Sequence, residues 1–189
     1  MMNDVTELVI FVEEKSAQVM LVEGLLPKLI PSHIQIRCIP FEGKQDLEKR
    51  VGLKLRAWLN PSAVFVILRD KDGADCMLVK SRLKEICNAA GKPNVLIRIA
   101  CHELESWYLG DLQAVETGLA IKGIAKNQSN HKYRTPDILS NAQEELKKLT
   151  KNQYQKVGGS RLIGPHLSLT DNTSHSFQVF VEGIRKILS

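Results

Sequence analysis

The sequence predicts an α/β fold: an open parallel sheet flanked by helices, with a mainly helical C-terminal extension. Three observations predict it. Leu8-Val9-Ile10-Phe11-Val12 and Ala63 to Leu68 are continuous apolar runs, the pattern of strands covered on both faces. Segments with apolar residues at helical spacing separate the strand candidates, so the order reads β-α-β-α-β-α-β, which predicts a parallel sheet with helices on both sides. Beyond residue 101 the pattern turns helical.

Each element has a local reason. The two apolar runs belong in the centre of the sheet. Ser16 to Ile30 reads as a helix that Pro27 ends or bends. Ile34, Ile36 and Cys38 alternate with Gln35 and Arg37, which places that strand nearer an edge. Leu47, Val51, Leu55 and Trp58 share one helical face, as do Val79, Leu83, Ile86 and Ala90 before the stop at Gly91-Lys92-Pro93. Val95 to Cys101, interrupted by Arg98, is the fourth strand. "HELESWYLGDL" begins a helix whose Trp107 and Tyr108 read as core. "RTPDIL" offers Thr135 as N-cap with Pro136 at the first helical position, and "SNAQEELKKL" carries another helix. "YQKVGGSRLIGPHLSL" reads as a glycine-rich connection. From about Ser174 a last helix turns Phe177, Phe180, Val181, Ile184 and Ile187 to one side, a face suited to docking on the core. Residues 1–110 form the α/β core in this reading, and residues 111–189 an extension packed on the same domain.

With 189 residues, 43% of them hydrophobic, the chain can build one sizeable core. No apolar run approaches the roughly 20 residues that cross a bilayer, and the N-terminus lacks the pattern of a signal peptide, so the expectation is a cytoplasmic protein with no membrane partner. Cys38, Cys76, Cys87 and Cys101 are scattered without paired spacing, which suits reduced, mostly buried thiols. The net charge of +5 is uneven: residues 1–110 hold 15 Lys+Arg against 14 Asp+Glu, and residues 111–189 hold 11 against 7. That balance permits a polyanionic partner, and from charge alone an ordinary solvated surface explains it equally well.

The acids are more telling. In "VFVILRDKDGADC" a strand stops at Asp70, skips one residue and offers Asp72. Glu13 and Glu14 end the first strand, and Glu103 and Glu105 follow the fourth. In an open parallel sheet all of these lie at the C-terminal edge, where ligands collect. If the chain is still extended, the spacing of two turns Asp70 and Asp72 to one side and Arg69 and Lys71 away. Clustered carboxylates repel one another unless a cation lies between them, and hard oxygen donors without a Cys or His pair suit Mg²⁺ or Mn²⁺. The candidate ligands are Glu13, Glu14, Asp70, Asp72, Asp75, Glu103 and Glu105, and phosphoryl transfer is the chemistry that suits them. Blander readings stand beside this one. Asp-Lys-Asp-Gly is a good turn, Asp75 a good helix N-cap, and Glu105 a cap for its own helix. Glu103 and Glu105 lie about 200° apart on a helix, so only one of them faces an ion. A calcium loop counted from Asp70 fails, because Asp75 and Ser81 stand where it needs Gly and Glu. The haloacid-dehalogenase pattern fails too: the motif is on the third strand, and Ala74 replaces its Thr.

A Glu after the first strand and Asp-x-Asp after the third resemble the TOPRIM domain of topoisomerases, primases and overcoming-lysogenisation-defect nucleases. "FVEE", "LRDKDGADC", "RIACHELESWYLGD", "YQKVGGSRLIGPHL" and "SHSF" together are similar to a family of small, poorly characterised TOPRIM-like bacterial proteins. The resemblance implies a metal site at Glu13, Asp70 and Asp72, and an AAA or ABC-type ATPase encoded nearby in phage-defence operons. The usual Val-Glu-Gly departs here to Val-Glu-Glu, which leaves the register between Glu13 and Glu14 open. The expected function is a Mg²⁺-dependent nuclease subunit with Glu13 as general base, the alternative a non-catalytic regulatory or nucleotide-binding module for the ATPase. Lys156, Arg161 and His166, around Gly158-Gly159, are the candidate contacts to nucleic acid. A homo-oligomer is left open.

Overall fold

The computed structural model describes residues 5–189. Four strands, β1 (Glu7–Val12), β2 (Gln35–Pro40), β3 (Ala63–Asp70) and β4 (Leu96–Ala100), form one parallel sheet in the order β2-β1-β3-β4. The apolar runs are the two central strands, as expected, and the alternating strand is an edge. Every residue of β1 is buried, because helices cover both faces of the sheet.

The pleat sorts side chains into two cores. Leu8, Ile10, Val12, Val66, Leu68 and Ala100 enter one, and Val9, Phe11, Phe65, Ile67 and Ile97 the other. The second and smaller core is closed by α3 (Lys44–Arg56) through Leu47, Val51 and Leu55, and by α4 (Cys76–Ala89) through Val79, Leu83 and Cys87. Trp58 lies just past α3 rather than within it. Its ring stands edge-on to Phe11 and Phe65, and its indole N–H donates to Glu7 at 3.0 Å.

The first face begins with α1 (Lys15–Met20). A π-helical turn at Leu21–Leu25 joins it to α2 (Leu26–Leu29), so the helix read from Ser16 to Ile30 is interrupted before Pro27. A Cβ on Gly24 would stand 2.4 Å from the Gly164 carbonyl carbon, so two backbones meet here without side chains. The layer continues with α5 (Glu105–Leu109), α6 (Leu112–Gly118), α7 (His131–Arg134), α8 (Ala142–Leu149), α9 (Lys156–Ile163) and α10 (His175–Leu188). Ser174 caps α10 by accepting the Phe177 N–H, and Phe177 and Phe180 pack on Trp107 with ring centroids 5.3 and 5.1 Å apart. Leu8 of β1 and Ile184 of α10 share one hydrophobic cluster.

Three local expectations change. The glycine-rich stretch is helix α9, and its Gly159 is required by packing, since a Cβ there would stand 2.4 Å from the Tyr154 ring. Thr135 accepts no capping bond, its hydroxyl donates to the His131 carbonyl, and Pro136 opens only a short 3₁₀ turn. Of the four free cysteines only Cys87 is buried. No helix among the described residues is long and apolar enough to cross a membrane.

Candidate active site

The chain leaves β1 for β2 on one side and returns to β3 on the other, so the crevice between the C-terminal ends of β1 and β3 is the topological switch point, where open α/β sheets bind ligands. Glu13 follows β1 directly and Asp70 ends β3. Glu13 Oε2 accepts a hydrogen bond from the Asp70 backbone N–H at 3.3 Å.

The acids around this point form two groups, and the pleat divides them. Asp70 has the parity of Val66 and Leu68 and turns toward α5. There Glu105, 1% exposed, accepts the Tyr154 hydroxyl at 2.9 Å, and Lys156 at the start of α9 reaches Glu14 at 2.6 Å. Asp72 belongs with Glu13 on the other side. Its N–H still pairs with the His102 carbonyl at 2.8 Å, but its φ of 51° is left-handed and ends the extended run. Asp70 and Asp72 therefore diverge, contrary to the one-sided spacing of an extended strand. Lys44 holds Asp72 at 2.7 Å. Arg69 does not simply point away: its Nη1 meets Glu48 at 2.7 Å, while its Nε, buried and without a hydrogen-bond partner among the described residues, stands 3.9 Å from Glu13.

The electrostatics follow from this crowding. Burial, followed by the charges of Glu13 and Glu105, pushes the Asp70 carboxyl well above its ordinary range. Glu13 is raised by burial and then by Asp72, and Glu105 by burial against the pull of Lys156. Burial opposes the charge on Lys156, yet Glu14, Glu105 and Asp70 together hold its ammonium above the usual value. The hydrogen bond to Asp72 raises Lys44.

The donor set fits a hard divalent cation. It consists of carboxylate oxygens whose mutual repulsion two ammonium groups only partly relieve, the condition that Mg²⁺ or Mn²⁺ satisfies. Among the described residues, no three Asp, Glu, His or Cys side chains already surround a common point.

A family model described as a domain of unknown function, DUF4276, matches residues 12–185. The chain belongs to that family. Among solved structures, the DUF4276 chain is similar to the C-terminal region of the Burkholderia pseudomallei OLD protein, with a TM-score of 0.59 and 15% identity over 96% of this chain and 98% of that one. It is also similar to the C-terminal region of the Xanthomonas campestris pv. campestris OLD protein, with a TM-score of 0.51 and 16% identity over 96% and 95%. None of the curated proteins matches it in sequence.

In this DUF4276 chain the remaining sequence-derived candidates lie elsewhere. Glu103 accepts the Gln143 N–H at 2.7 Å and caps α8, so Glu105 is the member of that pair beside Asp70. Asp75 caps α4, accepting from Met77 and Leu78 at 2.7 and 3.1 Å. Further along α9 from Lys156, Arg161 pairs with Glu23 at 2.7 Å, and His166 is exposed beyond the helix end. Sequence reasoning missed Lys44, Tyr154 and the inward reach of Arg69. Lys44 had a signal: it follows Gly43 just after β2, and all strands of a parallel sheet end at one edge.

Proposed function

We propose that the crevice between β1 and β3 is a Mg²⁺- or Mn²⁺-dependent phosphodiester-cleaving site, used by a nuclease subunit that works with an AAA or ABC-type ATPase encoded beside it in phage defence. The observation that carries this reading is the meeting of Glu13 and Asp70 at the switch point. Likeness of fold to OLD C-terminal regions supports it, because the OLD proteins are the overcoming-lysogenisation-defect nucleases whose motif order this sequence resembles.

Asp70, with Glu14 and Glu105 on its side of the strand end, would hold the ion, with Glu13 as a further ligand or as general base and Asp72 beside Glu13. The chemistry supplied there by a bound ion would be polarisation of a phosphoryl oxygen and a lowered proton affinity of water. Glu13 takes up the proton of the attacking water, a task for which its raised proton affinity suits it. Lys44 and Lys156 shift from the acids to the phosphate oxygens, and Arg69 keeps Glu13 oriented from beneath. The competing reading is a non-catalytic regulatory or nucleotide-binding module for the ATPase. It would be favoured by acids with no cation nearby, whereas Lys44, Lys156 and Arg69 stand among them.

The test incubates purified protein with DNA and with RNA in Mg²⁺ or Mn²⁺, with and without the neighbouring ATPase. Cleavage lost in Asp70→Asn is expected. Absence of cleavage under every condition favours the regulatory module.

A further inference from the structure

Edge strand β4 lies between α4 and α10, and a trough follows it on the protein surface. Two cavities compose it, of about 370 and 200 Å³, and both are lined by Lys80 and Arg98. Lys80 and Lys84 stand four residues apart on the exposed side of α4, where like charges repel. Neither they nor Arg98 takes part in any ion pair among the described residues.

Arg98 is held in place. Its Nε donates to the Val179 carbonyl at 3.1 Å and its Nη1 to the Ile97 carbonyl at 3.0 Å. A Cβ on Gly183 would stand 2.5 Å from Nη2, so α10 carries a glycine where the guanidinium lies. Glu182 of α10 favours the charge on Arg98 against burial, without an ion pair between them.

The upper end of the trough lies one strand over from the Asp70 strand end. Cys101 lines this end, next to Ala100, which is the register partner of Asp70. The following residue, His102, accepts the Asp72 N–H.

We propose that this trough binds single-stranded nucleic acid and leads the strand along β4 to the acidic crevice, an inference that rests on the phosphodiester-cleaving reading. Cations without ion-pair partners along the trough track a phosphate backbone, while Ile99 and Val179 offer apolar contact to bases. Among the described residues, no acid lines either cavity.

The experiment is fluorescence anisotropy of a labelled oligothymidylate of about 20 nucleotides, longer than the ~4–16 that a single-strand groove covers. It is run in EDTA, so binding is read without divalent ion or cleavage. Failure of the nuclease reading leaves this measurement intact, and loss of trough binding leaves metal affinity at the acids unchanged. Lys80→Ala with Lys84→Ala is expected to weaken binding about tenfold and to lower the slope of log K against log salt by about 1.4, two phosphate contacts' worth. The control, Lys147→Ala with Lys148→Ala at two exposed positions of α8, carries the same change of charge and is expected to bind as wild type. No binding by wild type would overturn the proposal. So would equal weakening by both pairs, or a preference for a poly-glutamate peptide over the oligonucleotide.

Discussion

Glu13 Oε2 accepts the Asp70 backbone N–H at 3.3 Å, joining the ends of the two central strands across the switch point. One carboxylate is thereby held beside another, and the burial that positions them disfavours charge on both.

Metal-free protein is therefore expected to lose stability as pH rises. From about 4, the ordinary carboxylate range, up to the raised value of Asp70, the folded state holds more protons than the unfolded one, so stability falls with pH across that window. Asp70→Asn should flatten this fall. It should also raise the melting temperature at neutral pH by several degrees, at about 2–4 °C per kcal/mol for a chain of this size. Thermal unfolding of both proteins at pH 5 and pH 8 in EDTA checks it, and parallel curves would remove the repulsion account.

Lys44→Met is expected to leave stability within about 1 kcal/mol, since its ion pair with Asp72 is half-exposed. Mn²⁺ affinity should rise, because the ammonium that competes for Asp72 is gone. Calorimetric titration measures this, and weaker Mn²⁺ binding would show that Lys44 supports the metal form instead.

Adjacent glycines should behave in opposite ways. Gly158→Ala meets nothing closer than Gln155 Cβ at 4.0 Å and should stabilise α9 by about 0.5–1 kcal/mol. Gly159→Ala drives a methyl into the Tyr154 ring and should cost about 1–3 kcal/mol, loosening the Tyr154 hydrogen bond to Glu105. Urea denaturation of the two variants decides, and similar midpoints would count against the packing of α9.

Phe177→Ala should destabilise by about 3–5 kcal/mol, because the ring is fully buried against Trp107. A single cooperative transition at lower temperature is expected. A separate early transition with the rest unchanged would mean that α10 melts independently of the sheet.

The sheet was legible because its signals are local. A continuous apolar run and a period of two report how many faces of a strand are covered, and they placed β1 and β3 inside and β2 at the edge. Asp75 as a cap and the helix beginning at Ser174 were legible for the same reason, since cap and first turn adjoin in sequence. The strand ends also marked where Glu13, Asp70 and Asp72 would stand.

Contacts between distant segments were not legible. Gly158-Gly159 read as a loop, and only Tyr154 folding back onto Gly159 makes that glycine part of a helix interface. Choosing Glu105 over Glu103 required α8, whose Gln143 N–H captures Glu103, and α9, whose Lys156 arrives beside Glu14 from 142 residues away. The divergence of Asp70 and Asp72 depended on the left-handed turn at Asp72, held by the His102 carbonyl. Local period and composition set which face of each element is apolar, and so the layers. Which charges meet depends on how those layers pack, because ion pairs and close glycine contacts join side chains whose spacing in sequence carries no period.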